Sequence, residues 1–265
     1  MKYLETNALR IFANQLEEDD FINDKYTSVL SLIELLSGIN ENKSFELRKS
    51  IIKKITKSKI KIDLILPEIR IYNAFGFKLN NSGMADKLGR IIKLIEVTKD
   101  YESLIKTINI NLLNDGWVFI KQYDKNANIG FKNSIIQRFQ KSDIKNLIRQ
   151  HKVRWALENL NLLIDKVIEY FAIILLKGKS IATKKSIPEI ISSYNRSIDI
   201  YLLATAFYVD RKISFINTPG KNDYMDLSHL IYLNGKQNQI VTNDNMLHKI
   251  MKDIYPENIL KTNEI

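Results

Sequence analysis

The chain predicts an α/β fold: a core built on a short parallel sheet, joined to a large and mainly helical middle. Three observations carry that expectation. Lys2 to Leu4 reads as a short buried strand that stops at Glu5-Thr6-Asn7, and Gln239 to Val241 reads as a second that runs into Thr242-Asn243-Asp244. Each is followed at once by a helical pattern. Between them, from about Phe45 to Tyr194, apolar residues recur mostly at helical spacing.

In chain order, Ala8 to Leu16 follows the first strand as a helix. Ser28 to Ile39 is a second, with Thr27 or Ser28 near its N-cap and Gly38 near its end. In the middle, Leu88, Ile91, Ile92 and Ile95 mark one helix and Leu160, Ile164, Val167, Phe171 and Ile174 another, with Gly178 as a stop for the latter. Ile60 to Leu66 and Trp117 to Ile120 are strand-like alternatives that periodicity does not settle. Tyr201 to Val209 is apolar nearly all round, as a buried helix is, and Ile213 to Ile216 reads as a short strand. A short helix opening at Asp226 precedes the second sheet strand, and Asn245 to Ile254 is the last helix, closed by Pro256. With no repeat and no low-complexity linker, these elements divide into a core of residues 1–42 and 195–265 and an ordered, mainly helical insertion of residues 43–194.

At 265 residues and 45% apolar content, the chain can bury a proper core. It has no cysteine, which excludes disulfides and thiolate zinc sites and fits a reducing cytoplasm. Met1 to Glu5 lacks the apolar run of a signal peptide, and Tyr170 to Leu176, the greasiest stretch, is too short to span a bilayer. A soluble cytoplasmic protein with no membrane partner is expected. A net charge of +10 implies an anionic partner, because clustered Lys and Arg release condensed counterions on meeting phosphates. The charge is uneven: Met1 to Glu34 holds seven acids against three bases, whereas Lys43 to Lys61 holds eight bases. Within that run Lys49, Lys53, Lys54 and Lys57 are the candidate phosphate contacts, although any one lysine is more often on a solvated helix face. Tyr72, Phe75 and Phe77 beside it have the spacing of base-stacking aromatics and, more commonly, of core.

Residues just past the carboxyl ends of neighbouring parallel strands converge on one crevice. Glu5 and Asp244 both follow strands, Asp226 lies on the helix before the second of them, and Glu34 lies among Leu32, Ile33, Leu35 and Leu36. Four gathered carboxylates repel one another, and Mg²⁺ or Mn²⁺, which take hard oxygen ligands, relieve that repulsion. The chemistry so suggested is divalent metal acting on a phosphodiester.

These residues resemble the PIN-like nucleases. Glu5-Thr6-Asn7 stands where the family ends its first strand with Asp-Thr-Asn, Glu34 lies in the second helix, Asp226 in a late helix, and Asp244 after Val241-Thr242-Asn243 on the next strand, eighteen residues on. The resemblance covers roughly the first 40 and last 70 residues. It implies a three-layer α/β/α core and hydrolysis of RNA, or less often of structured DNA, with one or two Mg²⁺ or Mn²⁺ ions lowering the pKa of a bound water. Glu5, Asp226 and Asp244 would hold metal, with Glu34 as a ligand or water-orienting group. Asn7 and Thr242 would support these ligands or a phosphate oxygen. Asp223 is a further metal candidate, with an N-cap role as its equal alternative. His229, one turn after Asp226, reads as a packed hydrogen-bonder near the site, whereas His151 and His248 carry no motif. The family's members often serve as toxins or in defence, which brings an inhibitory protein partner into view.

One departure matters: Glu5 replaces the usual Asp. Its extra methylene moves the carboxylate by roughly 1.5 Å, a large error for a site that must hold its ligands within about half an ångström. The alternative reading is therefore a catalytically weak or inactive nucleic-acid-binding protein on the same scaffold. A third treats the insertion as an interaction or homo-oligomerisation module.

Overall fold

The computed structural model describes residues 1–16, 24–80, 82–139, 160–177, 185–214, 219–233 and 237–264. Five strands, β1 (Lys2–Leu4), β2 (Lys25–Ser28), β3 (Lys61–Asp63), β4 (Gln239–Val241) and β5 (Ile259–Leu260), make one sheet in the order β3-β2-β1-β4-β5. Every neighbouring pair is parallel, with Leu4 opposite Val241 at the inner junction. The chain lays down β1, β2 and β3 outward in one direction and β4 and β5 in the other. The order therefore reverses between β1 and β4, where open α/β sheets form their ligand crevice.

The two-residue pleat sorts the strand side chains onto opposite faces. Tyr3, Ile240 and Ile259 enter the larger apolar cluster; Leu4, Val241 and Leu260 join the smaller one. The smaller cluster is roofed by α1 (Thr6–Gln15) and α3 (Asn42–Lys57) through Ala8, Leu9, Ala13, Ile51 and Ile55. On the larger face lie α10 (Asp199–Ser214), α11 (Asp223–His229) and α12 (Asn245–Ile254). Between β2 and α3, α2 (Val29–Ser37) is apolar nearly all round and feeds both clusters, Leu30, Ile33 and Leu36 to one and Leu32 and Leu35 to the other. Ser28 caps α2 and Gly38 ends it. A side chain at Gly38 would collide with the guanidinium of Arg48, which donates to Leu35 O at 2.8 Å.

Among the described residues, the helical middle contains α4 (Pro67–Ala74), α5 (Ser82–Val97), α6 (Tyr101–Ile110), α7 (Asn114–Phe139), α8 (Leu160–Lys177) and α9 (Ile187–Ser192). It is not a body apart. Leu88, Ile91, Ile120, Ile164 and Ile168 belong to the same continuous apolar cluster as Tyr3 and Leu230. The segment 43–194 also donates β3 to the sheet, so the core is wider than residues 1–42 and 195–265. Within Ile60 to Leu66 the strand is real but three residues long, whereas Trp117 to Ile120 is helical. Strands β2 and β5 were not expected, because a run of two to four residues shows too little alternation to read. Ile213 and Ser214 finish α10 instead of starting a strand; the rest of that expected strand, together with Gly178 and His151, lies outside the described residues. Helix α11 opens at Asp223 behind Asn222, so Asp226 sits one turn inside it and does not open it. Among the described residues no helix is long and apolar enough to cross a membrane.

Candidate active site

The crevice at the β1/β4 junction is built by two N-caps. Glu5 follows β1 directly, is only 6% exposed, and folds its carboxylate back onto the first turn of α1, accepting from the amides of Asn7 at 2.9 Å and Ala8 at 3.2 Å. Asp244 does the same for α12, accepting from Leu247 N at 2.7 Å, while its own amide donates to Thr242 Oγ1 at 3.0 Å. Two carboxylates thus sit at two helix N-termini, where unpaired amides and the helix dipole favour negative charge.

Glu34 reaches the same place from α2. Its Oε2 accepts from the Thr6 hydroxyl and lies 2.9 Å from His229 Nε2. His229 is fully buried at the end of α11, and its other nitrogen, Nδ1, is 2.6 Å from the Tyr3 hydroxyl, which is 2.7 Å from Ser28 Oγ. Tyr3 stacks on Tyr232 with ring centroids 5.6 Å apart. This chain of contacts ties β1, α2 and α11 together under the acids. Burial opposes a charge on His229, but Glu34, Glu5 and Asp226 outweigh it and raise the imidazole's pKa.

Asp226 is the most perturbed acid of the group. Burial first, and then Asp244, Glu34 and Glu5, push its pKa to about 8, with His229 pulling the other way. Burial likewise raises Glu5, against the attraction of His229 and the two amides, and Glu34 adds to the rise. Glu5 and Asp244 thus follow the paired ends of β1 and β4, Glu34 is tied to Thr6 and to His229 of α11, and Asp226 feels the charge of the other three. Asp223 is held elsewhere: it accepts from the Tyr208 hydroxyl and from Gly220 N at 2.7 Å and pairs with Lys212 at 3.2 Å. Its role in the structure is to fasten the Gly220 turn to α10.

The supporting residues differ in what they supply. Thr242 is buried and positions the Asp244 amide, whereas Asn7 is exposed and offers its backbone N–H. His248 bonds Thr242 O at 2.8 Å, behind the strand. In the basic run, Lys49 donates to Thr98 O and Lys54 to Leu16 O, so both help to hold α3 in place. Lys53 and Lys57 are exposed. Phe75 and Phe77 are core, with Phe75 packed at 4.6 Å on Tyr194.

Sequence reasoning missed a fifth carboxylate. Asp124 of α7 has its pKa raised by burial and by Glu34, with Lys221 opposing, and it lines a cleft with Ser37, one turn from Glu34 on α2. A readable signal existed: Lys121, Asp124, Lys125 and Asn128 recur at helical spacing as a polar stripe, against buried Trp117, Ile120 and Tyr123.

The donor set suits a hard divalent cation in its chemistry, being all oxygen and crowded enough to be strained by its own charge. Its arrangement is open: among the described residues no group of three or more His, Cys, Asp or Glu side chains is placed to hold a metal ion directly. No protein-family model, curated protein or solved structure matches this chain.

Proposed function

We propose that this protein is a metal-dependent endoribonuclease with a PIN-like core. The observation that carries the reading is the convergence of Glu5, Glu34, Asp226 and Asp244 on one crevice, with the Asp226 carboxyl raised to about 8 by burial and by the other three. A fold tolerates such crowding where a bound cation offsets it. The resemblance of Glu5-Thr6-Asn7, Glu34, Asp226 and Val241-Thr242-Asn243-Asp244 to the PIN-like pattern supports the same conclusion.

Since no three His, Cys, Asp or Glu side chains among the described residues are placed to bind an ion directly, Asp226, Asp244 and Glu5 would hold Mg²⁺ or Mn²⁺ largely through the waters of its shell. When bound, the ion supplies a lowered water pKa and charge neutralisation at the phosphate. The residues themselves do the positioning. Glu34 is fixed through Oε2 by Thr6 and His229, which leaves Oε1 to orient a water or accept its proton. His229, braced by Tyr3, holds that carboxylate in place and balances part of the negative charge before substrate arrives. The first turns of α1 and α12 hold the Glu5 and Asp244 carboxylates by backbone amides at the carboxyl ends of β1 and β4.

One observation favours the second reading, an inactive or weak nucleic-acid-binding protein: both Glu5 oxygens are engaged by α1 amides. The test is incubation with RNA and with structured DNA in Mn²⁺, Mg²⁺ or EDTA, beside Asp226→Asn. Metal-dependent cleavage lost in Asp226→Asn supports the nuclease. Silence from the wild type, with cleavage gained in Glu5→Asp, supports the disabled scaffold, and silence from both removes the nuclease reading.

A further inference from the structure

A cleft of about 500 Å³ opens beside the crevice, between α7 and the short segment that leads into α11. Its walls include Ser37, Lys121, Asp124, Lys125, Gly220 and Lys221. Ser37 is one turn beyond Glu34 on α2, and Gly220 and Lys221 belong to the segment that enters α11 ahead of Asp226, so two walls of the cleft are continuous in the chain with two of the acids.

The three lysines are not equivalent. The Lys121 ammonium donates to Ser37 O at 2.8 Å, to Ile39 O and to Asn40 Oδ1 at 2.8 Å, which uses its three protons. It is a clamp that seats α7 on the end of α2. Lys125, one turn further, and Lys221 are both exposed, and among the described residues neither makes an ion pair or hydrogen bond. Asp124 feels the charges of Glu34 and Lys221, and its carboxylate is held by Asn128 Nδ2. The Asn128 Oδ1, buried in the same wall, has no partner among the described residues. The cleft therefore has cations at its rim, a carboxylate next to the acid crevice and an unused acceptor between them.

We propose that this cleft is the path by which the phosphodiester backbone of a single-stranded nucleic acid reaches the acid crevice, with Lys125 and Lys221 as its phosphate contacts. The inference rests on the nuclease reading for its direction, and it moves the phosphate path from α3 to α7. In α3 the basic run is partly spent on structure through Lys49 and Lys54; in the cleft Lys125 and Lys221 share a wall with Asp124 and with Ser37, one turn from Glu34. Asp124 gives the helical middle a carboxylate of its own beside Glu34, placed to meet a hydrated cation that travels with the backbone.

The experiment is fluorescence-anisotropy titration of the full chain with a labelled single-stranded RNA and its DNA equivalent, in EDTA, across a salt series. Lys125→Ala/Lys221→Ala is compared with the α3 pair Lys53→Ala/Lys57→Ala, both checked for unchanged melting. Expected is at least tenfold weaker binding for the cleft pair, with the log-log salt slope shallower by about 1.4 for two lost single-strand contacts, and a smaller loss for the α3 pair. Equal or greater loss in the α3 pair overturns the proposal, as does a wild type that binds neither strand. Cleavage in Mn²⁺ is read separately. Cleft-dependent binding without cleavage removes the nuclease reading and leaves the path; cleavage unaffected by the cleft pair does the reverse. RNA and DNA bound alike mark the phosphate as the recognised group, and a preference for RNA adds the ribose.

Discussion

Asp223 and Asp226 share one short helix, a single turn apart, and live in opposite electrostatic worlds. Asp223 is answered by Lys212, Tyr208 and the Gly220 amide; Asp226 faces Asp244, Glu34 and Glu5, with only His229 to balance them. The difference separates an acid that stabilises the fold from one held ready for something the fold does not supply. Sequence spacing cannot draw that line, because both residues fit the same motif position within a turn. What draws it is the partner each finds across the tertiary structure.

The comparison is broken most sharply by neutralising each acid in turn. Asp226→Asn should lower metal-dependent RNA cleavage by roughly 100-fold or more, the loss expected when several kcal/mol of charge stabilisation disappear. Asp223→Asn should change it by less than about threefold. Comparable losses in the two, measured as initial rates at saturating Mn²⁺, would erase the distinction. Thermal shift in Mn²⁺ tests the same contrast without turnover. At about 100 times its dissociation constant the ion should stabilise the wild type by about 2.7 kcal/mol, an effect retained in Asp223→Asn and missing from Asp226→Asn.

His229→Ala sharpens the comparison from the other side. It removes the buried imidazole between Tyr3 and Glu34 and leaves the Tyr3 hydroxyl and Glu34 short of a partner, so urea denaturation should show a loss of about 2 kcal/mol. The pH dependence follows from the raised Asp226 pKa. A carboxyl that holds its proton more tightly in the folded state contributes stability fully below its unfolded pKa near 4, and loses it as pH rises through about 8. Metal-free wild-type protein should therefore lose melting temperature relative to Asp226→Asn between pH 5 and pH 8. A constant difference across that range would show that Asp226 is an ordinary acid. The smallest effect is expected for Glu5→Asp. Asp is a favoured N-cap, so the stability of α1 should shift by no more than about 0.5 kcal/mol while the carboxylate retreats by one methylene.

Much of the crevice was legible because its acids are punctuation. Glu5 stops a strand and caps a helix, and Asp244 does both again; β1 and α12 appear with the bounds read from the residues, and α1 begins two residues earlier than expected. Glu34 stood out by being polar in an apolar run, and the structure supplies the reason: Thr6 and His229 wait for it. The parts that escaped depend on neighbours. Strand β3 is partly exposed and three residues long, and only its register with Thr27 and Ser28 makes it a strand. Asp124 lay in a long helix where one more acid among lysines looks solvated, and only Lys121, clamped on the carbonyls at the end of α2, turns that stripe towards the site. Nor could Lys49 and Lys54 be told from their solvated neighbours on α3, since nothing local says that a lysine will donate to a distant carbonyl.

The pairing of β1 with β4 has a consequence in time. Leu4 must find Val241, so every residue between them is synthesised before the junction that gathers the acids can close. At ribosomal speeds of about 5–20 residues per second, β1 waits roughly 10–50 s for its partner. Glu5, Glu34 and Asp226 can all be present in a nascent chain that still lacks Asp244 and the strand preceding it. Whatever chemistry the crevice performs is thereby withheld until translation has passed residue 244, and a message broken before that point yields a protein with no finished crevice.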